Sequence, residues 1–418
     1  MISHKAGASI ITIGDELLIG QVIDSNSAWI GQQLGRIGIP VIRRVAVGDN
    51  AEDIHNALDE ESKRADIILI TGGLGPTADD ITKPALCSYF QGQLQVHEPT
   101  LEHITELFEK IFKRPLTEVN RRQAEVPDCC TVMANNLGSA PGMMFLKGQS
   151  IFISMPGVPH EMQGIMENEV LPFLEKKYSY LPIIHHTLLT AGIGESMLAE
   201  KIKDFEAALP AFIKLAYLPN FNLVRLRLSA TVTEPAQAAQ ASALFNKLCV
   251  EVKDYLVTDR DETMAEAVVN ILKTKQATLC TAESCSGGTI AAQLTAIPGA
   301  SAVFNGSVVC YSNETKMQLL GVTEDMLEQN GAVSEAVVRQ MVKGILNSIP
   351  STFALAVSGI MGPTGGEPGK PVGTVWIAAG TKEKIITEKM HFRFDRTRNI
   401  QLTSIHALNI LRKFILNI

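Results

Sequence analysis

The sequence predicts a multidomain α/β protein: a parallel-sheet α/β domain, then a small α+β module, then a C-terminal α/β/α domain. Its 418 residues exceed what one hydrophobic core usually serves. Short apolar runs alternate with amphipathic segments at both ends of the chain, and a different order of elements lies between them. We therefore expect domains at residues 1–175, 183–255 and 256–418.

The first domain shows the alternation of strands and helices that is typical of βαβ units on a parallel sheet. Short apolar runs predict strands, and longer amphipathic segments predict helices. The strands are expected at residues 9–13, 41–47, 66–70 and 151–154, and the helices at residues 24–37 and 159–177.

The middle segment has a different pattern. Strands are predicted at residues 185–190, 213–218 and 223–228, with one helix that begins at Glu195 and another at residues 235–252. In the third strand apolar and polar residues alternate, which predicts an antiparallel sheet with one solvated face. This segment is predicted to be a small α+β module.

The C-terminal domain resumes the αβ succession after a polar stretch at residues 258–263. Asp395 is a predicted N-cap for a final long helix that runs to Phe414. The five predicted strands are at residues 277–281, 303–311, 353–358, 373–379 and 385–392.

Composition narrows the function classes. The net charge of −7 and a pI near 5.8 would repel a phosphate backbone, so extended nucleic-acid binding is not expected. No apolar run is long enough to span a bilayer, and the first residues lack a signal-peptide core, so we expect a cytoplasmic protein. Seven cysteines without a Cys-x-x-Cys pair argue against a disulfide framework or a structural zinc site.

The most informative C-terminal motif is TAESCSGG at residues 281–288, between a predicted strand and a predicted helix. Ser284 on such a turn is a candidate nucleophile, and free N–H groups at the helix start can stabilise an oxyanion. Glu283, Gly287 and Gly288 are expected to contact the substrate. The alternative is a serine-rich helix cap whose glycines permit close packing.

A serine nucleophile needs a neighbouring base. No histidine lies near this motif in the sequence, but YSNETK at residues 311–316 follows a strong predicted strand. It supplies the phenol of Tyr311 and the amine of Lys316 at the same strand end as Ser284. A desolvated lysine with a lowered pKa can serve as the base. Cys285, beside Ser284, is interpreted as structural.

Two further features of this domain can bind an anion. The loop at residues 359–366 can present backbone N–H groups, and Arg396 and Arg398 open the last helix. The alternative is a turn between strands and two surface arginines. The candidate contacts here are Gly359, Gly362, Thr364, Gly365 and Arg396.

The first domain carries a second group of candidate residues in TGGLGPTADDIT at residues 71–82. Glycines let backbone approach a phosphate, and carboxylates can hold a divalent cation against it. The loop after the first strand, Asp49-Asn50 and residues 155–162 should gather at the same crevice. Each acid taken singly also fits a helix cap or a turn. The candidate phosphate contacts are Gly72, Gly73, Gly75 and Thr77, and the candidate metal ligands are Asp15, Glu16, Asp79 and Asp80.

The C-terminal domain resembles the CinA C-terminal or PncC-type nicotinamide mononucleotide deamidases. The resemblance rests on AESCSGG at 282–288, YSNETK at 311–316, GAVSE at 331–335, SGIMGPTGG at 358–366 and PVGTVW at 371–376. It implies hydrolysis of nicotinamide mononucleotide to nicotinic acid mononucleotide and ammonia, through a nicotinoyl-serine. It also implies Ser284, Tyr311 and Lys316 as the catalytic set, with no cofactor for this amidase.

The first domain resembles the MoaB/MogA-like molybdopterin-binding fold, in the version that begins CinA proteins. The matching segments are residues 14–30, 71–83 and 155–162. The resemblance implies an ADP-ribose pyrophosphatase that needs a divalent metal (cobalt, magnesium or manganese), with potassium. The alternative is a domain that binds a molybdopterin-like ligand without cleaving it.

The middle segment resembles a KH-type module, although GIGES at residues 192–196 is not the GXXG loop that clamps nucleotides. The whole chain therefore resembles a full-length CinA protein. This implies a homodimer that acts on nicotinamide mononucleotide and ADP-ribose, with neither a membrane nor a nucleic acid as partner. The alternative from another class is a binding protein that serves competence or DNA-damage responses.

Overall fold

Residues 7–77, 79–178 and 183–417 are described in this computed structural model. The chain divides into two units. The first comprises Met1–Ile184 with Thr231–Pro235, and the second comprises His185–Ala230 with Ala236–Ile418. Most of the predicted middle module therefore lies in the same unit as the predicted C-terminal domain.

The first unit is built on a six-stranded sheet with the order β2-β1-β3-β8-β7-β6. Strands β2, β1, β3 and β8 are parallel, as the sequence predicts, whereas β7 and β6 add an antiparallel edge that it does not predict. Strands β4 and β5 form a separate antiparallel pair. The strands are β1 (Ala8–Ile13), β2 (Val41–Val47), β3 (Ile67–Thr71), β4 (Leu94–Val96), β5 (Glu125–Pro127), β6 (Thr131–Met133), β7 (Gly142–Lys147) and β8 (Ser150–Met155).

The helices of this unit begin at side-chain caps where the sequence provides them. Asp24 accepts a hydrogen bond from the Ser27 amide at the start of α2, and Asn50 caps α3. The predicted helix at residues 159–177 is α7 and α8 joined by a π-helical stretch, Met166–Val170. The helices are α1 (Asp15–Leu18), α2 (Ser25–Arg36), α3 (Ala51–Ser62), α4 (Thr82–Tyr89), α5 (Glu98–Glu106), α6 (Glu118–Arg121), α7 (Pro159–Ile165) and α8 (Leu171–Lys177).

Helices cover both faces of this sheet. Ile10 and Leu69 lie in a cluster with residues of α2, α7 and α8, whereas Ile11 and Ile70 lie in a cluster with residues of α3 and α4. Successive side chains of a strand point to opposite faces, so a strand buried on both faces reads as a continuous apolar run. Each fully buried isoleucine or leucine contributes about 1.5–3 kcal/mol. This burial orders the parallel strands, whose C-terminal ends meet at one edge.

The second unit begins with a four-stranded sheet of order β10-β11-β9-β12 and two helices, in agreement with the predicted α+β module. The β10–β11 and β9–β12 pairs are antiparallel. Strand β12, which the predicted boundary places in the C-terminal domain, belongs to this sheet. The elements are β9 (Ile183–Ala191), α9 (Glu195–Ala207), β10 (Ile213–Asn220), β11 (Leu223–Thr231), α10 (Pro235–Glu251) and β12 (Leu256–Thr258).

The remainder of the second unit is built on a five-stranded sheet of order β14-β13-β15-β16-β17. The first three strands are parallel, and β16 and β17 are antiparallel. The strands are β13 (Leu279–Glu283), β14 (Phe304–Val309), β15 (Phe353–Gly359), β16 (Thr374–Gly380) and β17 (Ile385–His391). The helices are α11 (Met264–Thr274), α12 (Thr289–Thr295), α13 (Asn313–Leu320), α14 (Glu324–Asn330), α15 (Glu335–Ser348) and α16 (Arg396–Leu416).

Two hydrophobic clusters divide this sheet into faces and produce the predicted α/β/α layering. Leu355 and Val357 of β15 lie in a cluster with residues of α11 and α16, whereas Ala354 and Ala356 lie in a cluster with residues of α15. The first cluster also contains Leu189 of β9, so the KH-like sheet and the C-terminal layers share one core. Asp395 caps α16 by accepting from the Arg398 amide, as predicted. No helix among the described residues is long and apolar enough to cross a membrane.

Candidate active sites

The turn between β13 and α12 places Ser284 at the C-terminal end of the sheet. The Ser284 amide donates to the Val357 carbonyl oxygen at 3.1 Å, which continues the parallel pairing of β13 with β15. Gly287 and Gly288 then adopt φ values of 61° and 94°, which glycine reaches without strain. The chain therefore turns sharply after Ser284, and the side chain is 7% exposed.

Glu283 has a structural role that the sequence analysis did not predict. Its carboxylate is fully buried and accepts hydrogen bonds from the Ser286 hydroxyl and from the Gly288, Ile290 and Ala291 amides. The first N–H groups of a helix have no partner within the helix, and here the carboxylate satisfies them. Glu283 therefore does not line the cavity that contains Ser284, and its predicted contact with the substrate stays a prediction.

The backbone amides of Cys285 and Ser286 remain available. Neither has an acceptor among the described residues, whereas the neighbouring Ser284 and Gly287 amides are both engaged. Two unengaged N–H groups that directly follow a nucleophile are a suitable arrangement for stabilising an oxyanion. These amides, rather than those of α12, are the candidate oxyanion donors.

A cavity of about 310 Å³ brings together the predicted catalytic residues Ser284, Tyr311 and Lys316 with Arg396. The glycine-rich loop forms another wall, through Gly359, Gly362, Thr364 and Gly365. Gly287 and Gly288, expected as substrate contacts, do not line it and act as turn residues instead. The other lining residues are Cys285, Asn313, Ala332, Val333, Ser358, Ile360 and Met361.

Arg396 connects two walls of this cavity. Its Nη2 donates to the Tyr311 hydroxyl at 2.9 Å, and its Nη1 donates to the Gly362 carbonyl oxygen at 2.8 Å. Tyr311 is 62% exposed. Arg398, the other arginine proposed for anion binding, does not line the cavity, and its guanidinium lies 4.1 Å from the centre of the Phe394 ring.

Lys316 is almost fully buried and is surrounded by backbone carbonyl oxygens. Its Nζ donates to the carbonyl oxygens of Cys310, Tyr311 and Ser312 at 3.0, 3.2 and 3.4 Å. Burial lowers the pKa of Lys316, as the sequence analysis expects of a desolvated lysine. Three acceptors nevertheless match the three hydrogens of an ammonium group, so this position suits a fixed cation better than a base.

Cys285 is no competitor for the role of nucleophile. Its side chain is 4% exposed, and burial raises the pKa of its thiol to about 12. The thiol is therefore protonated at neutral pH, and a protonated thiol is a poor nucleophile. This agrees with the interpretation of Cys285 as structural.

The first unit has its own candidate site at the C-terminal edge of the parallel strands. The Asp15 amide donates to the Asp49 carboxylate, and the Asp49 amide donates to the Asp15 carboxylate, both at 3.1 Å. Burial, together with the charges of Asp15, Glu16 and Asp80, raises the pKa of Asp49. Asp49 was expected at this crevice but was not among the predicted metal ligands. Of the predicted ligands, Asp15 is the one joined to it by hydrogen bonds.

The predicted TGGLGPTADD loop has a more specific arrangement than its sequence indicates. The Asp80 carboxylate accepts from the amides of Gly75 and Thr77 at 2.9 Å and closes its own turn, while Asp79 is exposed. Asp80 therefore acts first as a turn residue. Gly73 is a second constrained position of the loop, because its φ is 62° and a Cβ there would lie 2.2 Å from the Thr82 hydroxyl.

A divalent metal at these residues would need ligands besides the protein's own side chains. Within the described ranges, no group of three or more His, Cys, Asp or Glu side chains is close enough to hold a metal ion by itself. Mg²⁺ usually keeps several waters and binds through one or two carboxylates plus substrate phosphates. Asp49 and Asp15 fit such a site, because the crowding of like charge around Asp49 favours a cation.

Comparison with known families covers almost the whole chain. Residues 9–176 match the model of the "Probable molybdopterin binding domain", residues 185–259 that of the "Damage-inducible protein CinA KH domain", and residues 261–415 that of the "CinA C-terminal domain". A CinA-like protein of Flavobacterium psychrophilum is 44% identical over 411 residues, which cover 98% of each chain. The chain belongs to the CinA family.

Other members extend the comparison. A CinA-like protein of Cytophaga hutchinsonii is 41% identical over 97% of each chain. A solved structure of a CinA superfamily protein from Klebsiella pneumoniae is 36% identical and covers 38% of this chain and 100% of its own, with a TM-score of 0.37. Family membership confirms the resemblance drawn from the sequence motifs and the order of the three modules.

Two residues of the CinA C-terminal site, Ser358 and Asn313, were not predicted from the sequence. Ser358 is buried and donates from its hydroxyl to the Ala332 carbonyl oxygen at 2.8 Å, so it holds the GAVSE segment against the cavity. Asn313 lines the cavity between Tyr311 and Lys316. Both residues lie inside motifs that carry the family resemblance, Ser358 in SGIMGPTGG and Asn313 in YSNETK. Their place in those motifs could have identified them.

Proposed function

We propose that the second unit hydrolyses the carboxamide of nicotinamide mononucleotide to give nicotinic acid mononucleotide and ammonia. The observation that carries the proposal is the position of Ser284 in a cavity, directly before two backbone amides that have no acceptor within the described part of the chain. That arrangement suits attack on a carbonyl carbon followed by stabilisation of the oxyanion.

In the proposed reaction, Ser284 Oγ attacks the carboxamide carbon, and the Cys285 and Ser286 amides receive the negative charge on oxygen. Collapse of this intermediate breaks the C–N bond, and the departing nitrogen takes up the proton that Ser284 gives up, so ammonia leaves and a nicotinoyl ester remains on Ser284. Water then cleaves the ester, which releases the acid and restores the serine hydroxyl.

The Ser284 proton needs an acceptor, and Tyr311 is the better candidate within the cavity. The only hydrogen bond of its hydroxyl among the described residues comes from Arg396, so a lone pair remains available. Lys316 has all its donor positions facing carbonyl oxygens and supplies positive charge beside the reaction. We therefore assign to Tyr311 a proton relay, in which its hydroxyl oxygen receives the Ser284 proton as its own proton passes to the departing nitrogen, and we assign electrostatic support to Lys316.

The phosphate of the mononucleotide is assigned to the glycine-rich loop. The amides of Thr364, Gly365 and Gly366 have no acceptor among the described residues, and Gly365 has φ of 94°. Successive free N–H groups in such a turn form an anion-binding concavity. Arg396, which lines the same cavity, adds a positive charge.

Mass spectrometry of nicotinamide mononucleotide incubated with the protein tests this proposal. We expect nicotinic acid mononucleotide, ammonia and a transient acyl adduct on Ser284. Ser284→Ala should abolish all three, whereas Ser301→Ala, at an exposed serine of the same unit, should leave them unchanged. Unaltered ammonia release by Ser284→Ala would show that the assignment is wrong.

For the first unit we propose metal-dependent cleavage of ADP-ribose to AMP and ribose 5-phosphate. The supporting observation is the pair Asp15 and Asp49, joined by reciprocal amide-to-carboxylate hydrogen bonds, beside Gly73, where a Cβ would lie 3.4 Å from the Asp49 carboxylate. A bound divalent cation would neutralise the pyrophosphate charge, and Asp49 with Asp15 would hold it. Product analysis with ADP-ribose and cobalt tests this: binding without AMP formation would favour a ligand-binding domain of the molybdopterin type.

A further inference from the structure

The first unit contains a second cavity, of about 270 Å³, beside helix α5. His97 and His103 line one side, and the segment between β6 and β7 lines the other. None of Asp15, Asp49 or Asp80 lines it, so this space is separate from the carboxylate crevice.

The lining of this cavity is uncharged. It contains no Asp, Glu, Lys or Arg, and Pro99, Val132 and Pro141 supply apolar surface. Its two titratable side chains are those of His97 and His103, so a phosphate would find no Lys or Arg here and a metal ion would find no carboxylate. The cavity therefore suits a neutral group with apolar faces.

Four hydrogen-bonding groups in the lining are unengaged. The Asn136 carboxamide and the Ser139 hydroxyl have no partner among the described residues. His97 uses Nδ1 with the Thr100 hydroxyl at 2.8 Å, and His103 uses Nε2 with the Gly138 carbonyl oxygen at 3.2 Å. Each imidazole thus retains one free ring nitrogen, and that of His103 is an acceptor because its other nitrogen donates to a carbonyl.

A chain of contacts joins this cavity to the glycine-rich crevice. Asn135, buried in the cavity wall, donates to the Glu161 carboxylate at 2.7 Å. Glu161 lies in the first turn of α7, which follows Gly157. Gly157 packs against Gly72: a Cβ on Gly157 would lie 3.3 Å from the Gly72 Cα. Hydrogen bonding and backbone packing therefore link the wall of this cavity to the Gly72-Gly73 turn.

We propose that this cavity binds the uncharged base of a nucleotide whose phosphates lie at the Gly72-Gly73 turn. The volume is below the 300–1,000 Å³ that is usual for drug-sized ligands, so it suits a single ring system. Apolar walls would cover the faces of a heterocycle, and the free amide, hydroxyl and imidazole groups would bond its edge. The position of the phosphates rests on the proposed function of this unit, but the base site does not.

Calorimetric titration of the full chain with adenosine, guanosine, cytidine and uridine tests the proposal. At least one of these uncharged nucleosides should bind, and ribose 5-phosphate should not displace it. Ala134→Trp, which places an indole in the cavity wall, should weaken that binding at least tenfold. Thr131→Trp carries the same side chain at an exposed position of β6 outside the lining and should bind as the wild type does.

A second variant keeps the test interpretable if Ala134→Trp does not fold. Asn136 has no hydrogen bond to lose among the described residues, so Asn136→Ala should fold normally and bind the nucleoside about two- to tenfold more weakly. Absence of binding by all four nucleosides, or binding that neither variant weakens, would overturn the base site. Nucleoside binding without cleavage of ADP-ribose would instead contradict only the proposed pyrophosphatase.

Discussion

The Arg396 guanidinium donates a 2.9 Å hydrogen bond to the hydroxyl of Tyr311, although 85 residues separate them in the chain. The same guanidinium donates to the Gly362 carbonyl oxygen. One side chain at the start of α16 therefore orients both the proposed proton acceptor and the loop assigned to phosphate.

Arg396→Lys should reduce deamidation, because a single ammonium group cannot reproduce the two directed bonds of the planar guanidinium. Loss of one charged hydrogen bond predicts a fall in kcat/KM of about 10- to 100-fold. Arg398→Lys, at a residue outside the cavity lining, is the control and should retain near-normal kinetics. Equal kinetic effects of the two substitutions would contradict the role given to Arg396.

Lys316→Met should affect stability as well as activity. The substitution removes the donor that three carbonyl oxygens share, and a buried unsatisfied acceptor costs about 1–3 kcal/mol. We expect a lower free energy of unfolding in urea together with loss of deamidation. Lys343→Met, at an exposed position of α15, should change neither quantity. A Lys316→Met protein of full stability would argue against the carbonyl arrangement.

Glu283→Gln should disturb the turn that carries Ser284 while preserving side-chain size. The carboxylate offers two acceptor oxygens to these backbone amides. A carboxamide offers only one acceptor oxygen, and its NH₂ group would face backbone donors. We expect a loss of about 1–3 kcal/mol in the free energy of unfolding and a lower kcat. Glu328→Gln, at an exposed glutamate of α14, provides the comparison.

Lys83 should make the stability of the first unit depend on pH. Its Nζ donates to the carbonyl oxygens of Arg122 and Gln123, and burial lowers its pKa from 10.5 to about 8. Between pH 8 and 10.5 the unfolded chain holds a proton that the native state lacks, so stability rises with pH in this window. We expect the free energy of unfolding of the wild type, measured from pH 7.5 to 10.5, to rise relative to that of Lys83→Met. Lys63→Met, at an exposed lysine, should follow the wild type.

Cobalt should stabilise the first unit through Asp49. A ligand that binds only the native state raises the unfolding temperature, and a cation would relieve the crowding of carboxylates around Asp49. Thermal unfolding of the wild type should shift upward with cobalt, and Asp49→Asn should lose most of that shift. Asp79→Asn should keep it, because Asp79 is exposed and is not among the acids that raise the pKa of Asp49. If Asp79→Asn lost the cobalt-induced shift and Asp49→Asn kept it, Asp79 would be the ligand instead.

Much of the architecture follows from local sequence. The apolar runs of β1, β3 and β15 identify strands buried on both faces, and Asp24 and Asp395 mark helix starts through the hydrogen bonds of their carboxylates. The antiparallel strands β6 and β7 at the sheet edge were not predicted. Strand β6 has only three residues, which is too short for a periodic pattern.

The sequence by itself determined the family, the order of the modules, the presence of Ser284, Tyr311 and Lys316 in distinctive motifs, and the position of Arg396 at the start of the last helix. Tertiary structure decided what those and neighbouring side chains do, because hydrogen-bond partners come from distant segments. Strand β13 continues to Glu283, which directs that carboxylate to the start of α12 instead of the cavity. Lys316 meets carbonyl oxygens that only the fold of residues 310–312 supplies, and Asp49 acquires its acidic neighbours only where parallel strands end together.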